Sequence, residues 1–179
     1  MFKPQSYHTY YAFEAIKEFL NSGKVLVIDP AEIPEELLTL RACFVSVFVN
    51  DELRGCMGSY ELFTDCLLNE IIKNAIHAAS NDKRFFAISL QELDNLVIKV
   101  EVVGNFKPVL SMEEAIQIDT NEYGVKVEDL QGNVGVVLPK TSGITSAKQA
   151  INLALQKGNI TEINPTNLSL YKFRAKEFL

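Results

Sequence analysis

The stretch Ala42 to Met57, ACFVSVFVNDELRGCM, constrains the fold more tightly than any other, because it spells a strand, a turn and a returning strand in immediate succession. From Ala42 to Val49 the residues are mostly β-branched or aromatic, the composition of a largely buried strand. Asn50-Asp51-Glu52 is short and polar, so the chain is expected to return as a hairpin through Leu53-Arg54-Gly55-Cys56-Met57. Side-chain direction alternates along a strand, which places the Arg54 guanidinium and the Cys56 thiol on one face. Gly55 and Gly58 flank that thiol, and a strand interior accepts glycine where the backbone bulges, bends sharply or is closely approached. Two readings stand. Either the pair serves a ligand, or Gly55 marks a bulge, Cys56 is a small core hydrophobe and Arg54 pairs with Glu52 or Glu61.

Around this hairpin the chain alternates helices and strands. Helical spacing from Ser6 to Leu20, with Ser6 as N-cap and Gly23 as stop, predicts an amphipathic first helix, with His8 solvated or hydrogen-bonded on its first turn. Lys24 to Ile28 is read as a short strand, and Glu35 to Leu40 as helix-like. Thr64 to Ser80 carries Leu67, Leu68, Ile71, Ile72, Ala75, Ile76 and Ala79 on one face and is the strongest helix signal. Cys66 and His77 on that helix lie about three turns apart, roughly 16 Å, too far to share a metal. Asn81 to Arg84 is a polar helix end, where Arg84 can pair with Asp82, and Phe85-Phe86 is expected to turn back to the core.

Ser89-x-x-Glu92 and Ser111-x-x-Glu114 are capping-box spellings that open short helices. Val97 to Val103 alternates as a strand, Gly124 to Glu128 and Val134 to Leu138 form a second hairpin, and Ser146 to Gln156 is a helix stopped by Gly158. After a polar loop, Leu168 to Phe178 reads as one alternating strand with Lys172, Arg174 and Lys176 on one face, the pattern of a solvated edge.

The chain of 179 residues fits one domain, or two small lobes sharing a core, and can bury about 70% of its unfolded surface. A net charge of −6 has the wrong sign for a general phosphate-backbone binder, which disfavours nucleic acid as a partner. Three cysteines without metal-ligand spacing fit reduced thiols, and no metal or cofactor is expected, since G-x-G-x-x-G, Walker, H-E-x-x-H and C-x-x-C spellings are all missing. No stretch has signal-peptide or membrane-span character, so the expected location is the cytoplasm.

The RGC(I/M)G core at Arg54 to Gly58, the ACFVS strand before it and the trailing Tyr60-Glu61 resemble the AMMECR domain family. The likeness continues through Asp82-Lys83-Arg84-Phe85 for the family's D-x-R-F, the Leu90 to Val103 segment, Val136-Val137-Leu138-Pro139 for its L-L-L-P, and Tyr171-Lys172-Phe173. The chain departs from the family pattern at Gly143-Ile144, where Gly-Trp is usual, and at Ala154 to Gly158, where a second cysteine is common. The resemblance implies a single AMMECR-like domain over residues 1–179 with a mixed α+β fold. It also implies two unequal lobes of mostly antiparallel sheet with packed helices, and a cleft between them beside the signature motif. It further implies, by association, a role beside a Memo-type protein and a radical-SAM enzyme.

Read as chemistry, Arg54 offers a fork suited to a carboxylate or phosphate. Cys56 has its thiolate favoured by that charge, and Glu61 is placed to orient Arg54 or move a proton. Gly55 and Gly58 expose backbone N–H groups able to hold an anion. Arg84 is a second cation, brought in by the resemblance. Three functions follow: an enzyme or substrate-binding component acting on a small anionic ligand at Arg54, Cys56 and Glu61, a non-catalytic adaptor, or a nucleic-acid binder using Lys172, Arg174 and Lys176.

Overall fold

Why the chain pairs as it does is clearest at the turn of the first hairpin. In the computed structural model, which describes residues 3–161 and 167–179, Asn50 and Asp51 have φ of 50° and 65°. Both central residues of a tight hairpin turn need positive φ to match strand twist, and Asn and Asp tolerate it better than most residues. The turn joins β1 (Cys43–Val49) to β2 (Glu52–Gly58) antiparallel, as the sequence predicts. The loop expected between Gly158 and Leu168 lies partly outside the described residues.

Two compact units make up the chain, one of Met1–Val103 with Lys176–Leu179 and one of Gly104–Ala175. The first is built on a sheet of order β2-β1-β3-β8, with β3 at Leu96–Val103 and β8 at Ala175–Phe178. Helices α1 (Tyr7–Ser22) and α2 (Leu67–Ser80) pack on one face of it. Cys43, Val45, Val47 and Val49 project from β1 into that face and meet Leu96, Ile98 and Val100 of β3. Ile16 from α1 and Leu67, Leu68, Ile71 and Ala75 from α2 complete the core. Side-chain period two on the strands and the apolar stripe of each helix account for this arrangement. The caps are also as read: Ser6 accepts from the Thr9 N–H, and Gly23 closes α1 with φ of 73°.

The second unit holds the sheet β4-β7-β5-β6, comprising Lys107–Pro108, Leu168–Phe173, Gly124–Asp129 and Val134–Val137. Helix α3 (Met112–Ile116) and helix α4 (Ala147–Lys157, capped by Ser146) belong to it, and Ala150, Ala154 and Leu155 of α4 join Val125, Val127 and Val137 in its core. The fold is therefore mixed α+β with two antiparallel four-stranded sheets.

Four expectations are corrected. Lys24 to Ile28 is extended but pairs with no strand among the described residues, and the helix read from Glu35 to Leu40 is a single tight turn, Glu35–Leu37. Phe86 is 92% exposed instead of returning to the core. The single strand read over Leu168 to Phe178 breaks at Arg174, so its halves belong to different sheets. The basic strip breaks with it: β7 is an interior strand, Lys172 pairs with Glu114 at 2.8 Å and Arg174 with Glu122 at 2.7 Å. Of the three, Lys176 keeps an edge position, exposed on β8, while Lys172 lies inside a sheet.

Candidate functional site

Cys56 lies on β2, the outer strand of its sheet, and its surroundings follow from the register. Gly55 opposes Val47 and Leu53 opposes Phe48, which leaves Arg54 as the extra residue of a bulge. Beyond the bulge Cys56 opposes Ser46. The Cys56 N–H goes outward to Asp82 Oδ2 at 2.9 Å, and its carbonyl oxygen accepts from Arg84 at 3.3 Å. A strand residue whose backbone groups both face outward forms a non-hydrogen-bonded pair with its neighbour, the pair type with the closer side chains. Accordingly the Ser46 hydroxyl donates to Cys56 Sγ at 3.3 Å. One strand further, Lys99 opposes Ser46 on the same face and is tied to Glu101 at 3.1 Å and Glu177 at 3.4 Å. Burial alone would push the Lys99 ammonium pKa down, but these carboxylates more than offset it and hold it above its ordinary value.

Asp82 and Arg84 come from the turn after α2 and act together. The Arg84 Nε and one terminal nitrogen bond Asp82 at 2.9 and 2.6 Å, a two-pronged contact that suits guanidinium and carboxylate. Arg84 hydrogen bonding holds the buried Asp82 carboxyl at a pKa of about 2, against its desolvation. In return Asp82 raises Arg84, with the Cys56 side chain adding a smaller favourable contribution. The Arg84 side chain stays 60% exposed.

Arg54 is placed differently from the expectation. Its guanidinium is paired with Glu92 and donates to the Phe86 carbonyl at 3.3 Å, not to Glu52 or Glu61. Glu92 also accepts the Ser89 N–H and hydroxyl, each at 2.8 Å, as the capping box predicts. Burial raises the Glu92 pKa, but the hydrogen bonds from Ser89 and Arg54 outweigh it, so the group lies below its usual value. Glu61 stands exposed in the loop after β2 and makes no hydrogen bond or ion pair with Arg54 or Cys56. The carboxylate that organises this loop is Glu70, fully buried on α2, which receives the Ser59 hydroxyl at 2.8 Å and the Phe63 N–H at 2.7 Å.

The two glycines answer to packing. A Cβ on Gly55 would stand 1.9 Å from the Ala78 carbonyl oxygen of α2, and one on Gly58 would stand 2.2 Å from the Phe44 ring. Gly55 is buried and Gly58 exposed. Cys56 is half-buried, whereas Cys43 and Cys66 are buried, and burial pushes the Cys43 thiol up to about 12. Ser46, Asp82, Glu92 and Glu70 were not singled out as site residues from sequence. Asp82 had a signal, since it opens the D-x-R-F segment, but a lone serine in an apolar strand and a glutamate on a helix carry none. Among the described residues no group of three His, Cys, Asp or Glu side chains is placed to hold a metal, and no helix is long and apolar enough to cross a membrane.

The architecture is that of a class of mixed α+β protein already seen in a crystal structure of the uncharacterized protein PH0010 from Pyrococcus horikoshii. The two match with a TM-score of 0.85 and 26% identity over 98% of this chain and 91% of that one. A Thermotoga maritima protein is 34% identical over 171 residues, 94% of each chain. A longer Clostridium acetobutylicum protein is 33% identical over 150 residues, 83% of this chain and 31% of that one. The AMMECR1 family model matches residues 9–178, and the chain belongs to that family.

Proposed function

We propose that the chain is an enzyme, or the substrate-binding component of one, that takes a small anionic compound at Cys56. The observation that carries this reading is the half-buried Cys56 sulfur, which has the Ser46 hydroxyl at 3.3 Å and the exposed Arg84 guanidinium beside its residue. The Arg84 nitrogen not engaged by Asp82 or Cys56 is a donor for a ligand carboxylate or phosphate. Arg54, tied to Glu92 and Phe86, shapes the bulge that presents Cys56 and leaves ligand contact to Arg84. Partnership with Memo-type and radical-SAM proteins is compatible with this role, and the anionic compound would then be theirs to supply or consume.

Alkylation tests the reading. Cys56 should react at neutral pH well ahead of Cys43 and Cys66, and anionic iodoacetate should gain on neutral iodoacetamide relative to a free thiol. Arg84→Gln should remove that gain. A Cys56 that reacts no faster than the two buried cysteines would leave the adaptor reading, in which the motif only fixes a tight hairpin.

A further inference from the structure

A cavity of about 520 Å3 lies elsewhere on the first unit, against the outer side of α2, and none of its lining residues belongs to the Cys56 site. Its floor is apolar, formed by Leu26, Ile72 and Ile76. Val25, on the unpaired extended segment that borders it, is exposed, as are its neighbours Val27 and Phe63. Such a group of exposed apolar side chains around a hollow is uncommon on a monomer surface and marks a binding region. The volume falls within the roughly 300–1,000 Å3 of small-molecule sites.

Charge decides what kind of molecule suits it. Asn69, Lys73 and His77 line the cavity at intervals of four along α2 and so follow one stripe of that helix, and Asp65, just before its N-cap, lines it as well. Asp65 is already engaged by Asn69 at 2.6 Å. Lys73 and His77 are one turn apart toward the other end, about 6 to 12 Å along the axis from Asn69. Among the described residues neither has a carboxylate partner; the Lys73 ammonium sits 4.7 Å from the centre of the Phe63 ring. The hollow thus offers a greasy floor and, at one end, two nitrogen donors with no anion to meet them.

We infer that this cavity binds an amphipathic anion, with its hydrocarbon portion on Leu26, Ile72 and Ile76 and its anionic head between Lys73 and His77. A carboxylate or a phosphate monoester would both serve as the head, and the apolar floor sets the rest of the molecule.

The test is an NMR titration of the full chain with sodium octanoate, following the methyl groups of Leu26, Ile72 and Ile76 and the His77 ring, with octylammonium and octanol in parallel. Expected are saturable shifts at these groups, at least tenfold weaker binding of octylammonium and octanol, and a fivefold or greater loss of octanoate affinity in Lys73→Glu and in His77→Gln. Octyl phosphate compared with octanoate identifies the preferred head. Absence of saturation, equal affinity for the three octyl compounds, or undiminished binding in both variants would overturn the inference, because the head-group contacts are what define it. The amide spectrum of each variant reports that α2 remains folded.

Discussion

Asp82 accepts the Cys56 N–H at 2.9 Å while Arg84, two residues on, donates to the Cys56 carbonyl at 3.3 Å. The D-x-R segment therefore does for the outer side of β2 what another strand would do. It satisfies the two backbone groups of Cys56 that an edge strand leaves open and covers the edge at the motif.

Removing Asp82 should loosen that edge. Its carboxyl sits at about 2 against an ordinary 3.8, so folding favours the ionised form by roughly 2 kcal/mol. The folded value is the lower one, hence this stability is whole above about pH 4 and is lost as pH falls toward 2. Urea denaturation of Asp82→Asn should show a deficit of about 2 kcal/mol at pH 7 that shrinks as both proteins are acidified below pH 4.

The Arg54–Glu92 pair links β2 to the turn before β3, with both side chains 24% exposed. A double-mutant cycle with Arg54→Gln and Glu92→Gln should give a coupling of about 1 kcal/mol. The Glu92 variant alone should cost more than the Arg54 variant, since it also frees the Ser89 N–H and hydroxyl. Equal single costs would contradict this division of roles.

Gly55→Ala should destabilise the first unit by roughly 3 kcal/mol, because the added methyl meets a backbone oxygen of α2 that no rotamer change can move. Gly132→Ala provides the comparison. There φ is 83° with open space around it, and only backbone strain of about 1 kcal/mol applies. Thermal unfolding of the two variants should rank them in that order.

His8 is 3% exposed, stacked on Phe178 with ring centroids 3.5 Å apart, and its Nδ1 has no hydrogen-bond partner among the described residues. Desolvation lowers its pKa from 6.5, opposed by Glu36 and aided by Lys176. The unfolded chain thus binds more protons between the lowered value and 6.5, so stability falls as pH drops through 6.5, by at most about 1.4 kcal/mol per pH unit. His8→Phe keeps the stacked ring and cannot titrate. Its loss of stability between pH 7.5 and 5.5 should be smaller than that of the parent chain.

His8 also shows where local reading ends. Ser6, Gly23 and the apolar spacing place α1 correctly, yet the same spacing gives no hint that a first-turn histidine lies under a phenylalanine 170 positions later. At the candidate site the same limit applies to Arg54. The hairpin and its bulge-marking glycine were legible, but the carboxylate that takes the guanidinium is 38 residues on rather than at Glu52 or Glu61.

The sequence by itself determined helices α1 to α4, the two hairpins and the family, because caps, turn residues and hydrophobic periods act between residues a few positions apart. Only the tertiary structure decided that Arg84 and Ser46 surround Cys56, that Glu92 takes Arg54, that Gly55 makes room for α2, and that Leu168 to Phe178 divides between two sheets. These pairings follow from how α2 and the strands pack once their apolar faces are buried together. Burial is non-directional, so the polar groups it brings side by side carry no pattern in the order of the chain.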